Sequence, residues 1–140
     1  MAGLTLRVIT PERVILDEAV ESVGVTASDG GMGIFPKHAG MVTALEPGEL
    51  TYKSSAGEQS LFVAGGFAEV RGDTVRVLTA AGEPWTEIDE ERARQAEARA
   101  RERLSMSRAA AKQDAVDMAR ARASLQRALA RIRLHSRRSR

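Results

Sequence analysis

The feature that most constrains this sequence is the absence of glycine and proline after Pro84. Residues 88–134 are dominated by alanine, arginine, glutamate and leucine, which cost little free energy in a helix. Apolar side chains recur there at spacings of three and four, as on one face of a helix. The two resulting stripes are Ala93, Ala96, Ala100 and Leu104, and then Ala111, Ala115, Met118, Ala121, Leu125, Ala128 and Ile132. We therefore predict two antiparallel helices, with a break at Ser105-Met106-Ser107 where a serine caps the second helix.

Both stripes consist mostly of alanine. Each buried alanine contributes about 1 kcal/mol or less of transfer free energy. At 1.5 Å per residue the two arms are roughly 27 and 40 Å long, which is more than such a contact firmly secures. Two interpretations stay open: a solvated helical tail that packs on its own domain, or a mobile arm.

The length and composition of the chain exclude several classes of protein. A chain of 140 residues fits one domain, or one small domain with an appendage. It has no cysteine, which removes disulfides and thiolate metal sites. No apolar run reaches the roughly 18–20 residues that cross a bilayer, and the N-terminus lacks a signal-peptide pattern. We expect a soluble, cytosolic protein.

The charges are divided unevenly along the chain. Residues 1–87 contain six basic and twelve acidic side chains, a net charge of −6, whereas residues 88–140 contain fifteen and seven, a net charge of +8. Eight arginines and no acid follow Asp117. A basic arm of this kind favours a polyanionic partner: nucleic acid, an anionic membrane face, nucleotide phosphates or an acidic protein segment. Arginines near a helix C-terminus also complement the helix dipole, so part of the run has a structural explanation.

The first part of the chain has the pattern of a β-protein. Short β-type runs alternate with turns rich in glycine, proline and aspartate, which is typical of an antiparallel sandwich or barrel. The runs include residues 4–9, 13–16, 19–27, 49–53, 60–64, 67–70 and 74–79. Residues 29–33 predict a turn, because no Gly-Lys-Ser/Thr follows to make a phosphate-binding loop.

Catalytic or metal chemistry is not indicated. His38 is the one histidine of the β region and has no second histidine or cysteine with which to share a metal, so we interpret it as a loop or interface residue. No nucleophile, base and orienting group combine into a site. We therefore predict a protein that is not an enzyme and needs no metal.

Four arginines form a candidate anion-binding site. Arg92 and Arg99 share one face of the first helix, and Arg127 and Arg131 share one face of the second. If the two helices fold against each other, the guanidinium groups converge, and their planar forks bind phosphate oxygens in pairs. The alternative is a solvated face with acidic neighbours.

Four motifs stand in order along residues 4–134. They are Ile9-Thr10-Pro11-Glu12-Arg13; Gly33-Ile34-Phe35-Pro36-Lys37-His38-Ala39 with Thr43-Ala44-Leu45; Val63-Ala64-Gly65-Gly66-Phe67-Ala68-Glu69-Val70; and Ile88-Asp89-Glu90-Glu91-Arg92-Ala93. Together they resemble the epsilon subunit of the rotary F-type ATP synthase, the bacterial counterpart of the mitochondrial delta subunit. The chain departs from that pattern at Lys37, where glycine is usual, at Gly31, which replaces a frequent acid, and in a few extra residues around 107–112.

The resemblance implies a β-sandwich of about ten short antiparallel strands (residues 1–84) followed by an α-helical hairpin (residues 85–140). It implies a non-catalytic central-stalk component that couples gamma to the c ring during proton-driven ATP synthesis. The hairpin of such proteins lies folded or extends into the catalytic head, where it opposes ATP hydrolysis. The implied partners are gamma, the c-ring subunits, and beta and alpha when the hairpin extends. The implied location is peripheral, on the cytoplasmic face of the membrane through the Fo complex.

The resemblance also implies three sets of site residues. The c ring is expected to contact Gly30, Gly31, Met32 and His38. An acidic segment of beta is expected to contact Arg120, Arg122, Arg127, Arg131 and Arg133. ATP, a candidate regulatory ligand rather than a required cofactor, has matching positions at Ile88, Asp89, Arg92, Ala93, Arg99, Arg127 and Arg131.

A nucleic-acid-binding protein that uses the arginine-rich helix is the alternative function. The acidic β region and the scarcity of aromatic side chains for stacking bases argue against it.

Overall fold

The computed structural model describes residues 3–109 and 115–139, and in these it contains eight strands, one turn of 3-10 helix and two α-helices. The chain divides into two compact units, Met1–Trp85 and Thr86–Arg140. The elements are β1 (Leu4–Ile9), β2 (Val14–Val20), β3 (Ser22–Ala27), β4 (Gly30–Ile34), β5 (Met41–Ser54), β6 (Gly57–Arg71), β7 (Thr74–Leu78), β8 (Gly82–Pro84), the 3-10 turn Trp85–Glu87, α1 (Glu90–Ala109) and α2 (Ala115–Arg138).

The first unit is a sandwich built from one hydrogen-bonded path of strands. Its order is β2-β1-β7-β6-β5-β3-β4, with β8 paired to β6. The long strands β5 and β6 pair along almost their whole length. On its other side, β6 pairs with β8 in its first half and with β7 in its second, while β5 pairs with β3. The path folds over along these strands, so that β2 contacts β5 although three strands separate them in the path. The predicted β-sandwich is confirmed.

The fold-over lies where both long strands contain a residue that interrupts a regular strand. Pro47 on β5 lacks an N–H group, and Gly65 and Gly66 on β6 have φ angles of 90° and 106°. The register is the same before and after this point, since Leu45 pairs with Gly66 and Pro47 with Ala64. The sequence indicated separate β-type runs at residues 60–64 and 67–70, and the family resemblance implied about ten strands. The structure has eight strands in its described residues, because the two opposed interruptions bend both strands together without ending them. The sandwich is also not wholly antiparallel, since β1 and β7 form a parallel pair.

The core lies between the two layers and is filled by alternate residues of the strands. On β1, Leu4, Leu6 and Val8 are buried and the residues between them face outward. Phenylalanine is absent from the main cluster of buried residues, which consists mainly of valine and leucine, residues that suit a pleated, buried surface.

The boundary between β2 and β3 also differs from the prediction, since the run predicted over residues 19–27 is divided at Glu21. The sequence placed a break at Asp17 and Glu18, but β2 continues through both residues to Val20. The reason is a cross-strand pair: Asp17 lies opposite Arg7 on β1, and its Oδ2 is 3.4 Å from Arg7 Nε. Opposite charges in this position support a strand.

The turn after β4 contains a strained lysine. The His38 N–H group donates to the Phe35 carbonyl oxygen at 3.2 Å, which closes a turn with Pro36 and Lys37 at its centre. Lys37 has a φ of 65°, the one positive value among the non-glycine residues that the structure describes. Turns of this type favour glycine at that position. Its backbone N–H group also donates to Asp73 Oδ1 at 3.3 Å.

Lys37→Gly is expected to raise the free energy of unfolding by about 0.5–1 kcal/mol. Relief of the left-handed conformation, about 1–2 kcal/mol, exceeds the extra backbone entropy that glycine loses on folding. Urea unfolding followed by circular dichroism measures the change. Lys37→Ala is the matched control, since alanine removes the same side chain but keeps the strain. An equal gain in both variants would contradict this explanation.

The second unit is a pair of antiparallel helices in contact with each other. The Nδ1 atom of His135, near the end of α2, is 3.2 Å from Oε2 of Glu90 at the start of α1. The buried positions of the predicted stripes are confirmed: Ala93, Ala100, Ala121 and Ala128 are buried, with Ala96, Leu104, Met118, Leu125 and Ile132 half-buried. Two further residues of α2, Ala130 and Leu134, are buried outside those stripes.

The predicted break at Ser105-Met106-Ser107 is wrong. Helix α1 continues through these residues to Ala109. Serine costs only a few tenths of a kcal/mol in an exposed helix position, and the residues around it are strong helix formers, so the helix propagates through the site. Residues 110–114, which include Ala111 and part of the extra segment, lie outside the described residues. In the part of the chain that is described, neither helix is long and apolar enough to cross a membrane.

Candidate functional site

The first candidate site begins where α1 begins. Oδ1 of Asp89 accepts a hydrogen bond from the backbone N–H of Arg92 at 3.0 Å, and the Asp89 carbonyl accepts one from the N–H of Ala93 at 3.0 Å. This is an N-cap, which satisfies N–H groups that have no partner within the helix. Ile88 and Ala93 are both buried. Three of the predicted nucleotide residues therefore also build the start of the helix.

A carboxylate in the first turn of α1 joins the two helices. Glu90 Oε1 accepts from Arg94 Nη2 at 2.7 Å, and Glu90 Oε2 faces His135. The hydrogen bond from Arg94 is the largest influence that holds the pKa of Glu90 below its ordinary value, and the charges of Arg94 and His135 act in the same direction. A lowered carboxyl pKa means that this group stabilises the folded state at neutral pH, mainly through its pair with Arg94 within α1 and to a smaller extent through His135 on α2. That contribution is lost as the pH falls through the pKa of the folded state.

All four predicted phosphate-binding arginines occupy equivalent positions around their helices. Each directly precedes a residue of a buried or half-buried stripe: Arg92 before Ala93, Arg99 before Ala100, Arg127 before Ala128, and Arg131 before Ile132. One residue is about 100° of rotation, so each arginine lies to the same rotational side of the helix contact. Because the helices run in opposite directions, that rotational side is one and the same side of the hairpin.

The same arginines also match in height along the hairpin. With Glu90 beside His135, Arg99 lies within about one residue of the level of Arg127, and Arg92 within about two residues of Arg131, which is roughly 3 Å. Arg92 and Arg99 are exposed, whereas Arg127 and Arg131 are half-buried. The structure thus brings the four guanidinium-bearing residues to one side of the hairpin in two level pairs. Phosphate oxygens suit such an arrangement.

The arginines predicted to meet an acidic protein segment fall into two groups. Arg120, Arg127 and Arg131 are spaced by seven and four, so they share one face of α2. Arg122 and Arg133, eleven residues apart, share a different face, and both are exposed. One approaching segment therefore meets either the first three or the last two.

The residues predicted to contact the c ring lie at the two ends of β4. Ala27 and Gly30 pair to close a hairpin around Ser28 and Asp29, and Gly30 has a φ of 129°. The turn predicted over residues 29–33 is therefore confirmed only at Asp29, because residues 30–33 pair with β3 and belong to β4. Gly30 and Gly31 are exposed, with open space where a Cβ would be, while Met32 packs partly against the core. His38 follows the other end of β4, about 13 Å further along at the rise of a strand. Its Nδ1 lies 2.8 Å from the Ala39 carbonyl oxygen. A single partner has to span this distance to reach both.

The residues of one broad face of the sandwich were not predicted, although the resemblance implied that a flank of the sandwich lies against gamma. This face is the outer surface of the strands in the order β2-β1-β7-β6-β5. One row across this face is apolar, and we call it the apolar row: Val14, Ile9, Leu78, Phe67 and Ala44, each paired with the next in register. Phe67 is 55% exposed and Leu78 44% exposed. Exposed apolar patches of this kind mark interaction surfaces.

The neighbouring row on the same face is charged. It consists of Asp17, Arg7, Arg76 and Glu69, again paired in register across four strands, and we call it the charged row. Val42 follows at its end beside Glu69 and is 68% exposed. The outward positions of the strands gave a signal for the apolar row, because alternation puts Phe67 and Leu78 opposite the core. The register that joins the five strands was not readable from the sequence.

Two family profiles together match almost the whole chain. Residues 3–84 match the beta-sandwich domain of the ATP synthase delta/epsilon chain, and residues 86–135 match its long alpha-helix domain. The chain belongs to the ATP synthase delta/epsilon family. Each family domain corresponds to one of the two compact units. The predicted resemblance is therefore confirmed.

Individual relatives agree with this family. The chain is 42% identical over 132 residues to an ATP synthase epsilon chain of Nitratidesulfovibrio vulgaris, covering 94% of this chain and 95% of the relative. It is 40% identical over 134 residues to one of Moorella thermoacetica, covering 95% and 96%. Such delta/epsilon chains are non-catalytic subunits, and the predicted function in the central stalk is confirmed. Nothing in these relatives supports the nucleic-acid-binding alternative.

Solved structures show the same fold. A chain in the Euglena gracilis mitochondrial ATP synthase, solved as OSCP/F1/c-ring, superposes with a TM-score of 0.75 at 25% identity, covering 92% of this chain and 79% of that chain. A chain in the central stalk and c-ring structure of the Tetrahymena thermophila mitochondrial ATP synthase superposes with a TM-score of 0.61 at 13% identity. The curated relatives and the Euglena structure are consistent with a peripheral subunit of the F1 complex. Among residues 3–109 and 115–139 there is no group of three side chains placed to hold a metal ion.

Proposed function

We propose that this delta/epsilon chain couples gamma to the c ring during proton-driven ATP synthesis, at the cytoplasmic face of the membrane and bound there only through the Fo complex. The outer face of the sandwich docks on gamma through the apolar row. The observation that carries this part is the exposure of Phe67 and Leu78, which are direct partners on the outer face of the sheet. The ends of β4, with Gly30, Gly31, Met32 and His38, contact the c ring.

The hairpin is a mobile regulatory arm that takes a folded and an extended position. Its support is the composition of its buried contact, in which Ala93, Ala100, Ala121 and Ala128 each bury one methyl group. Such a contact holds weakly, at about 1 kcal/mol or less for each alanine, so a partner of modest differential affinity shifts the equilibrium. In the extended position the exposed arginines of α2 meet an acidic segment of beta, with alpha alongside, and oppose ATP hydrolysis.

Truncation after Asp89 is expected to raise the ATPase rate of the F1 complex several-fold, since it removes the whole arm and leaves the sandwich. Reconstitution of F1 with the full chain and with the truncated chain, at equal occupancy, measures this change. Equal occupancy is checked by the amount of chain that co-purifies. An unchanged rate would reject the inhibitory role of the hairpin while leaving the coupling role in place.

ATP is the proposed regulatory ligand of the folded hairpin. The level pairs of arginines on one side of the hairpin support this site, together with the buried Ile88 and the capped start of α1. Titration of the full chain with ATP, with and without magnesium, is expected to change the fluorescence of Trp85, which directly precedes the second unit. Arg92→Ala is expected to abolish that change.

The matched control for this titration is Arg103→Ala, another exposed arginine of α1 outside the four-residue set. If both variants respond as the unaltered chain does, the arginine cluster is a solvated face. The position of the arm is then set by its protein partners alone and not by ATP.

A further inference from the structure

The centre of the charged row brings two positive charges together. Arg7 and Arg76 are direct partners on the parallel strands β1 and β7, where neighbouring strands are about 4.8 Å apart. Like charges directly opposite each other on a sheet are destabilising. The chain therefore holds a charge pair on its surface that its own fold does not favour.

The acids at the two ends of the charged row do not fully satisfy these arginines. Asp17 lies 3.4 Å from Arg7 Nε, but that nitrogen is buried and has no hydrogen-bond partner. Arg76 Nε is likewise buried without a partner, and among the described residues no carboxylate forms an ion pair with Arg76. A buried donor without an acceptor is costly. Because both Nε atoms are covered by the chain itself, a docked group can reach only the exposed remainder of these half-buried side chains.

The position of the Arg7–Arg76 pair beside the apolar row indicates what kind of group binds to it. Two residues along each strand lies the apolar row, so one docked surface covers both rows at once. We infer that the Arg7–Arg76 pair is a carboxylate-binding site, which receives an aspartate or glutamate side chain of the central-stalk subunit that docks on the apolar row. This inference rests on the proposed docking of that face.

A single carboxylate fits the pair better than a polyanion does. Guanidinium forks bind a carboxylate through two parallel hydrogen bonds at short range. Asp17 and Glu69 flank the pair, and residues 1–87 carry a net charge of −6, so a nucleic acid or a nucleotide is repelled at longer range. A protein surface with apolar side chains and one acid matches both rows.

The test is the affinity of the full chain for an F1 complex that lacks it. Arg76→Gln and Arg7→Gln are each expected to weaken binding by at least about tenfold, because the partner carboxylate is then buried with only one of its two guanidinium partners. Lys53→Gln, which removes an exposed positive charge from β5, is the matched control and is expected to change affinity by less than about twofold.

A second readout separates docking from folding. The thermal midpoint of the isolated chain is expected to stay level or to rise in Arg76→Gln, because the repulsion from Arg7 is relieved. A fall in that midpoint that accounts for the weaker binding would overturn the inference, since it would mean that Arg76 only supports the sheet.

Phe67→Asp separates the proposed docking of this face from the proposed carboxylate site. If Phe67→Asp weakens binding and the two arginine variants do not, the carboxylate site is wrong while docking of the face stands. If Phe67→Asp also leaves the affinity unchanged, this face is not docked, and both the proposed gamma contact and the carboxylate site fail.

Zero-length carbodiimide coupling identifies the acid directly. Arg76→Lys places a primary amine in the pair, and a carboxylate in contact with it forms an amide that mass spectrometry locates. We expect a cross-link to a neighbouring subunit that is absent from the unaltered chain. A cross-link confined to Glu69 or Asp17 would overturn the inference, because the charged row would then satisfy itself.

Discussion

Gly66→Ala is expected to lower the free energy of unfolding by about 4 kcal/mol or more, which is exceptionally large for a single substitution. Gly66 has a φ of 106°, which side-chain-bearing residues rarely adopt. A Cβ at this position would lie 2.0 Å from the carbonyl oxygen of Leu78 and 3.0 Å from Thr79 Cα. These are backbone atoms of the last residue of β7 and of the residue that follows it, and Leu78 pairs with Phe67, so they cannot move aside without disturbing the β6–β7 ladder.

Urea unfolding of the unaltered chain and of Gly66→Ala measures this loss. Gly72→Ala is the matched control, because Gly72 also has a positive φ, of 60°, but has open space at its Cβ position. Its expected cost is about 1–2 kcal/mol, from backbone conformation alone. Equal losses in the two variants would show that the close approach of β6 to Leu78 is not a constraint. Since a domain of this size has a total stability of about 5–15 kcal/mol, Gly66→Ala leaves little margin.

The same substitution is expected to act on docking. Phe67 follows Gly66 and is the centre of the apolar row, paired with Leu78 on one side and Ala44 on the other. A shift of the backbone at Gly66 moves this side chain away from its neighbours in the row. The chain that remains folded is therefore expected to bind F1 more weakly.

Leu6→Ala is expected to lower the free energy of unfolding by about 2–5 kcal/mol. Leu6 is fully buried, belongs to the main core cluster, and lies on β1 between β2 and β7. Truncation removes buried methylene groups and leaves a cavity that paired strands on both sides prevent from collapsing. Urea unfolding at pH 7 measures the loss.

Thr5→Ala is the control for this prediction. Thr5 is the exposed neighbour of Leu6 on the same strand, and its loss is expected to change stability by about 0.5 kcal/mol or less. A Leu6→Ala cost below about 1 kcal/mol would mean that the core relaxes around this position. It would also contradict the assignment of β1 to the centre of a layer.

Much of this fold was readable from local patterns. The composition after Pro84 predicted the helical unit, and spacings of three and four identified Ala93, Ala100, Ala121 and Ala128 as its buried positions. The alternation in residues 4–9 matched β1 at both ends. These signals are local, because propensity and periodicity act within a few neighbouring residues. The end of α1 was placed too early, since a lone serine pair is a weak signal in a sequence of strong helix formers.

The candidate sites were likewise predictable only where local spacing or a motif identified their residues. The arginine set on the hairpin followed from spacing within each helix, and the structure added the shared side and the level pairs. The expected contacts of Gly30, Gly31, Met32 and His38 came from motif resemblance and stay predictions. Their separation along β4 appeared only with the hairpin around Asp29.

The sequence by itself determined a β unit followed by two helices, the direction of each side chain within its own element, and membership of the delta/epsilon family. Only the tertiary structure decided which strands are neighbours. Arg7 and Arg76 are far apart in the chain, and the parallel pairing of β1 with β7 places them side by side. The apolar row likewise joins five strands from three regions of the sequence. Register between distant strands is set by the packing of the whole core and by where long strands bend.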